Sequence, residues 1–260
     1  MAGLKKEIPA AYDQVIEWVF FRARPDESYD FAFSRGDLER AHSELGVARP
    51  KNLGDVVYTY RFRKALPDSI RSLLPANLHW IIRLAGRGLY RFVAVTASDF
   101  QPAVNRSVVK VPDATPGLVA QNTFTDEQAL LAVVRYNRLI DTFLGITCYS
   151  LQNHLRTQVP GLGQIEVDEV YVGLDKNGEQ YVVPVQAKGG NDRLGVVQIE
   201  QDFAFCEARF KKLKCRPVGA QFLRSNVVVL MLFAKQDGDI VVESERHYLL
   251  VPKEPAERPD

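Results

Sequence analysis

Acidic, amide and ammonium side chains lie on two neighbouring segments whose pattern is typical of a β-hairpin. Asp168 lies in a stretch rich in Val, Ile and Tyr, and Gln186 and Lys188 end a second such stretch. Asn177-Gly178, between the two stretches, is a strong signal for a hairpin turn. The predicted hairpin therefore brings a carboxylate close to an amide and a lysine.

The pairing register of this hairpin decides which carboxylate faces Gln186. A three-residue loop with glycine in the left-handed bulge position pairs Asp168 with Gln186 and Glu166 with Lys188, all on one face. A two-residue Asn-Gly turn instead puts Glu169 opposite Gln186, because side chains alternate along a strand with a period of two. The Asp-x-Asn-Gly sequence of the turn favours the first register.

These residue types suit a hard divalent cation and phosphate chemistry. Mg²⁺ takes oxygen ligands and keeps several waters, so the Asp168 carboxylate and the Gln186 carbonyl oxygen are candidate ligands. Lys188 beside the metal can stabilise or deprotonate an attacking water and offset the charge of a phosphate. We therefore expect Mg²⁺ as cofactor, with Mn²⁺ as a substitute, and phosphodiester hydrolysis as the reaction.

Asp168, a hairpin, and Gln186-Ala187-Lys188 followed by a helix resemble the PD-(D/E)xK nuclease superfamily. The Gln-x-Lys form is similar to its Mrr-like, modification-dependent restriction branch, and the resemblance covers about residues 125–235. It implies metal-dependent DNA cleavage, with Asp168 and Gln186 as metal ligands and Lys188 as the catalytic lysine. The superfamily fold implied is a mixed sheet flanked by helices.

The chain departs from the superfamily pattern in two respects. No proline precedes Asp168, and a neutral amide, Gln186, stands where Asp or Glu is commoner. The amide weakens metal affinity, for which Glu166 or Glu169 can compensate. Such sites are often completed by a polar group on the preceding helix, and the candidates for it are Glu127, Asn137, Asp141, Gln152 and Asn153. On the following helix Gln198, one turn from Asp202, is a candidate for orienting substrate or water.

The C-terminal part of the chain has the pattern of an α/β (α+β) domain. Thr125 and Gln128 form a capping-box sequence at the start of a helix over 125–144, and a second helix is predicted over 150–157. The remaining pattern predicts strands over 164–174, 181–188, 218–223, 227–235 and 240–251, with a helix over 196–213. This order indicates a mixed α/β core.

The N-terminal part has the order of a winged-helix module. Helices are predicted over 10–21, 34–45 and 52–64, the second capped by Ser34 and stopped by Gly46. Two β-rich runs within 79–95, around Gly86-Arg87-Gly88, indicate a hairpin.

Basic residues are concentrated in this part, although the formal net charge of the whole chain is only +1. Nine Lys or Arg residues and two acidic ones lie between Arg49 and Arg91. Basic side chains on a helix end and at a hairpin tip can reach DNA phosphates and groove edges. The candidate DNA-binding residues are Arg49, Lys51, Arg61, Arg63, Lys64, Arg83, Arg87 and Arg91.

These observations predict three segments and a DNA-directed enzyme. The segments are a winged-helix-like DNA-binding domain (1–96), a linker or strap (97–124) and a nuclease-like catalytic domain (125–260). No apolar run has the length of a signal-peptide core or a membrane span, and three scattered cysteines fit a reducing cytoplasm.

The function that fits best is a cytoplasmic restriction or phage-defence endonuclease that cuts double-stranded DNA. Cutting both strands needs two sites, which predicts a homodimer. The alternatives are a DNA-binding regulator with a catalytically degenerate nuclease-like domain, and a protein-interaction module that does not bind DNA.

Overall fold

The computed structural model describes residues 11–122, 126–189, 192–224 and 226–252. The fold is mixed α/β, as predicted, with a large mixed sheet and flanking helices. The chain divides into two compact units, Met1–Ser98 with Pro160–Gly163 and Asp99–Val159 with Gln164–Asp260. Among the described residues, no helix is long and apolar enough to cross a membrane.

In its described residues, the first unit packs four helices against a three-stranded antiparallel sheet. Its elements are α1 (Ala11–Ala23), β1 (Asp30–Ser34), α2 (Arg35–Leu45), α3 (Gly54–Phe62), α4 (Asp68–Arg71), β2 (His79–Gly86) and β3 (Leu89–Val95). The strand order is β1-β3-β2. Phe20 of α1 is fully buried, with its ring centroid 4.9–5.2 Å from those of Phe31, Trp80 and Phe92. These aromatic contacts join α1 to all three strands.

The predicted caps of α2 are present, whereas β1 was not predicted. The Asp37 amide donates to Ser34 Oγ, the Asp37 carboxylate accepts from the Ser34 amide at 2.7 Å, and Gly46 ends the helix at φ 64°. β1 buries Phe31 and Phe33 on alternate positions. It has only five residues, too few for its alternation to be distinguished from a loop in the sequence.

The second unit is built on an eight-stranded sheet. Its helices are α5 (Gly117–Asn122), α6 (Asp126–Tyr136), α7 (Leu139–Leu144) and α8 (Val196–Arg209). Its strands are β4 (Asp99–Phe100), β5 (Val108–Pro112), β6 (Thr147–Val159), β7 (Gly163–Leu174), β8 (Gln180–Lys188), β9 (Leu194–Gly195), β10 (Lys214–Cys215), β11 (Val218–Arg224), β12 (Val227–Gln236) and β13 (Asp239–Val251). The sheet order is β5-β13-β12-β11-β8-β7-β6, with β10 also paired to β8 and with β4 and β9 forming a separate pair.

β8 lies inside this sheet and has one antiparallel and one parallel neighbour. It runs antiparallel to β7 and parallel to β11. Val183, Val185 and Ala187 are fully buried in the core that contains α6 and α7. The near-continuous burial of β8 is typical of a strand covered on both faces.

The favoured register of the β7–β8 hairpin is confirmed. The paired residues run from Leu174–Gln180 to Glu169–Val185. At the turn, Asp175 accepts hydrogen bonds from the amides of Asn177 and Glu179, and Gly178 has φ 83°. The alternative two-residue turn, which would pair Glu169 with Gln186, is therefore wrong.

Three predicted segments differ from the structure. The predicted helix over 125–144 is two helices, because Arg138 adopts a left-handed conformation (φ 49°) between α6 and α7; Thr125 of the capping box lies outside the described residues. The predicted helix over 150–157 is part of strand β6, which pairs along β7 at the sheet edge. The predicted linker 97–124 includes β5, which adds to the sheet in parallel with β13.

Replacing Gly173 by Ala is expected to destabilise the second unit. A Cβ atom there would lie 2.8 Å from Ile146 Cγ2, 2.9 Å from Cys148 Sγ and 3.1 Å from the Thr147 carbonyl oxygen. Overpacking of this kind costs about 1–3 kcal/mol, measurable by urea denaturation. Gly117→Ala is the matched control, since nothing lies within 4 Å of its Cβ position. Equal stability of the two variants would contradict the packing described.

Candidate active site

The candidate site begins where the β7–β8 ladder ends. Beyond the Glu169–Val185 pair, side chains take over the pairing. Asp168 Oδ2 accepts the Ala187 amide at 2.8 Å, and Gln186 Nε2 donates to the Glu166 carbonyl oxygen at 3.3 Å. The Asp168 carboxylate is thus fixed on the main chain of the Gln186-Ala187-Lys188 segment, as the predicted hairpin requires.

Lys188 and Glu127 form an ion pair beside Asp168. Lys188 Nζ lies 4.0 Å from Glu127 Oε1, and the Lys188 side chain is 17% exposed. Burial raises the pKa of Asp168, while the Ala187 amide and the Lys188 ammonium offset part of this effect. Burial also raises the pKa of Glu127, with Lys188 opposing and Asp168 adding to the shift. Two carboxyl groups therefore share one nearby ammonium group.

Gln186 points to helix α8 rather than to open solvent. It is 1% exposed, its Nε2 donates to Asp202 Oδ1 at 2.8 Å, and its Oε1 accepts from Gln198 Nε2 at 3.3 Å. Gln198 Oε1 in turn accepts the Gly195 amide at 3.3 Å. Both the oxygen and the nitrogen of the Gln186 side-chain amide are thus hydrogen-bonded. Gln198, a candidate for orienting substrate or water, contacts Gln186 instead.

Asp202 is a buried carboxyl that the sequence indicated only by its spacing from Gln198. It is fully buried, and within the described residues its Oδ2 has no hydrogen-bond partner. Burial raises the pKa of Asp202 well above its usual range; the Gln186 hydrogen bond opposes the shift and Asp168 adds to it. Burial therefore disfavours the charged form of this carboxyl.

The other two acidic candidates of the hairpin are held by arginines. Glu169 is fully buried, with its Oε1 2.8 Å from Arg135 Nε and 2.6 Å from Ser150 Oγ. Glu166 is exposed and lies 3.1 Å from Arg156. The buried Glu169 and the half-buried Arg135 form a structural ion pair that the sequence did not indicate.

Glu127 is the candidate from the preceding helix that contacts Lys188. Asn137 instead donates to Thr115 and accepts the Ala114 amide, and Asp141 is paired with Arg138. Gln152 and Asn153 lie on strand β6, because the helix predicted for them does not form.

In the first unit, four of the eight candidate DNA-binding residues are exposed and Arg91 is half-buried. Arg87 lies at the tip of the β2–β3 hairpin, between two glycines with φ 137° and 70°, conformations that favour glycine. Lys51 and Arg63 are exposed, and Arg63 lies 4.8 Å from the centre of the Tyr58 ring. Arg49 is paired with Glu39, and Arg91 with Asp30.

The remaining three basic candidates are more constrained. Lys64 contacts both oxygens of Asp13, 2.5 Å and 2.7 Å away. Arg61 donates to the Ile82 carbonyl oxygen at 3.1 Å. Arg83 is directly opposite Arg91 in the β2–β3 ladder. Lys64 and Arg61 thus support the unit itself, while Arg83 and Arg91 bring two positive charges together on adjacent strands.

No group of three or more His, Cys, Asp or Glu residues in the described part of the chain is arranged to hold a metal ion. Comparison of the chain with protein-family models, with curated proteins and with solved structures gave no match.

Asp202→Asn is expected to stabilise the protein increasingly as the pH rises above the ordinary carboxyl range. The pKa of Asp202 is raised in the folded state, so the wild type binds a proton that the unfolded chain releases above its ordinary pKa. Its free energy of unfolding therefore falls by up to about 1.4 kcal/mol per pH unit until the folded-state pKa is reached.

Asparagine has no such proton, so the difference between variant and wild type should widen with pH in urea denaturation. Asp237→Asn, at an exposed turn residue, provides the control. A pH-independent difference for Asp202→Asn would show that this carboxyl is ionised in the folded protein.

Proposed function

We propose that this chain is a metal-dependent endonuclease that hydrolyses phosphodiester bonds of double-stranded DNA, of the restriction or phage-defence type. The observation that carries the proposal is the meeting of Asp168, Glu127 and Lys188 where the β7–β8 ladder ends. Two carboxylates and one lysine at the end of a buried hairpin suit a divalent cation and a phosphate.

The donor set fits Mg²⁺, or Mn²⁺ in its place. Mg²⁺ is commonly held by one or two carboxylates and completed by waters and substrate phosphate oxygens. Burial raises the pKa values of Asp168 and Glu127, and a bound cation would offset both shifts. Glu127 suits the second ligand position better than Gln186, whose carbonyl oxygen accepts from Gln198. When bound, the cation polarises the phosphoryl oxygen and lowers the pKa of a coordinated water.

The chain's own groups position the phosphate and the catalytic ammonium. Glu127 holds Lys188 from one side, so that its Nζ can donate to a phosphate oxygen or to the attacking water. A hydrogen bond from the Ala187 amide fixes the Asp168 carboxylate. Hydrogen bonds with Asp202 and Gln198 fix the Gln186 side chain. These contacts hold the segment that carries Lys188 in one conformation.

The first unit supports a DNA substrate. Helices followed by a hairpin whose exposed tip carries Arg87 resemble a winged-helix module, in which such a tip contacts DNA. The exposed Lys51, Arg63 and Arg49 can add phosphate contacts. We place the activity in the cytoplasm and expect a homodimer, because cutting both strands needs two active sites.

A DNA-binding regulator with a degenerate catalytic domain is the second candidate. The full engagement of the Gln186 amide by Asp202 and Gln198 favours it, since this amide is then not available to a metal. Such a protein would bind DNA without metal-dependent cleavage.

Asp168→Asn and Lys188→Met are each expected to reduce DNA cleavage about 100-fold or more, since each removes a group that acts on the phosphate or the water. The assay is linearisation of supercoiled plasmid and bacteriophage DNA with Mg²⁺ or Mn²⁺. The matched controls are Asp237→Asn and Lys176→Met, at exposed residues in the β12–β13 and β7–β8 turns. Full activity of Asp168→Asn or Lys188→Met would overturn the site; DNA binding without cleavage by the wild type would favour the regulator.

Arg87→Ala is expected to weaken DNA binding and to reduce the slope of log affinity against log salt by about 1, because one phosphate contact is lost. Fluorescence anisotropy with a labelled duplex over a salt series measures both quantities. Arg40→Ala, an exposed residue of α2 paired with Asp37, is the control in the same unit. An unchanged slope for Arg87→Ala would remove the hairpin tip from the DNA interface.

A further inference from the structure

Strand β6 changes its alignment with β7 close to the candidate site. Arg156 contacts Glu166 at 3.1 Å, and Ser150 contacts Glu169 at 2.6 Å. Between these contacts β6 advances six residues and β7 only three. A regular antiparallel ladder advances equally on both strands, so this unequal advance indicates an irregularity in the pairing. One strand is therefore irregular between the two contacts.

The irregularity falls at His154. Its φ is 47°, in the left-handed region, and no other non-glycine residue of β6 or β7 has a positive φ. A left-handed residue within a strand is typical of a β-bulge, and bulges near active sites re-aim a side chain. His154 thus lies at the point where β6 would otherwise continue as an ordinary edge strand.

The redirected side chain is close to the candidate site. On β6, His154 lies between Ser150 and Arg156, whose partners on β7, Glu169 and Glu166, lie on either side of Asp168. Burial raises the pKa values of Asp168 and Glu127, and the imidazole opposes both shifts to a smaller extent. His154 is exposed, and within the described part of the chain its imidazole makes no hydrogen bond. An exposed donor without a protein partner, beside two carboxyls and a lysine, is available to a substrate.

We propose that His154 contacts the DNA at the cleavage site, donating an imidazole N–H to an oxygen of the scissile phosphate opposite Lys188. This inference rests on the proposed nuclease function and adds a substrate-binding residue to it. A phosphate oxygen suits this group, because the imidazole is exposed and an imidazole N–H is a hydrogen-bond donor.

The left-handed backbone of His154 allows the effect of losing the imidazole to be separated from the effect of losing the bulge. Gly and Asn both accept the left-handed region, so His154→Gly and His154→Asn keep the bulge and remove the imidazole. We expect each to lower kcat/KM for plasmid cleavage about 100-fold, the effect of losing one preorganised donor to a developing charge. Added imidazole should restore at least a tenth of the lost kcat/KM in His154→Gly, where the missing side chain leaves a space. It should not restore activity to His154→Asn.

Gln158→Asn, an exposed residue of the same strand, is the control for substitution in β6 and for the effect of imidazole on the assay. If the wild type cleaves DNA and both His154 variants stay within twofold of it, the inference is overturned while the nuclease proposal stands. A loss that follows a lower Tm and does not respond to imidazole overturns it as well. Absence of cleavage by the wild type overturns both proposals.

Discussion

The hydrogen bond from the Ala187 amide to Asp168 is the contact on which the candidate site depends. At this point β8 leaves its antiparallel partner β7 while it remains paired in parallel with β11, where Ala187 is opposite Ala220. A buried amide needs an acceptor, and a side-chain carboxylate replaces the missing main-chain carbonyl. The strand can therefore end its ladder without an unsatisfied donor, and the carboxylate gains a fixed position.

Charge balance around this contact explains the rest of the site. Lys188 is the ammonium group that lies among Asp168, Glu127 and Asp202, and it influences the pKa of all three carboxyls. Keeping the buried Asp202 carboxyl ionised close to Asp168 would be costly. Burial accordingly raises the pKa of Asp202 well above its usual range, and it also raises the pKa values of Asp168 and Glu127. In the proposed function, a divalent cation and then a phosphate would offset these negative charges.

Much of this arrangement could be predicted from local sequence. The Asn177-Gly178 turn determines the register that puts Asp168 beside the Gln186-Ala187-Lys188 segment, and the Ser34 and Gly46 signals determine the ends of α2. The direction of the Gln186 side chain could not be predicted, because it depends on Asp202, a residue one helix later. Choosing Glu127 among the candidate helix residues likewise required the tertiary position of α6. His154 was missed because its segment has the composition of a short helix, and only pairing with β7 makes it a strand.

The bulge at His154 also affects how two copies of the chain can meet. β6 is the outermost strand beside β7, and a regular, exposed edge strand is a template for the edge of another sheet. A left-handed residue in the middle of this strand interrupts the even spacing of its free amides and carbonyls. Edge-to-edge joining of two sheets through β6 is therefore disfavoured, and a dimer that cuts both DNA strands would have to form through another surface.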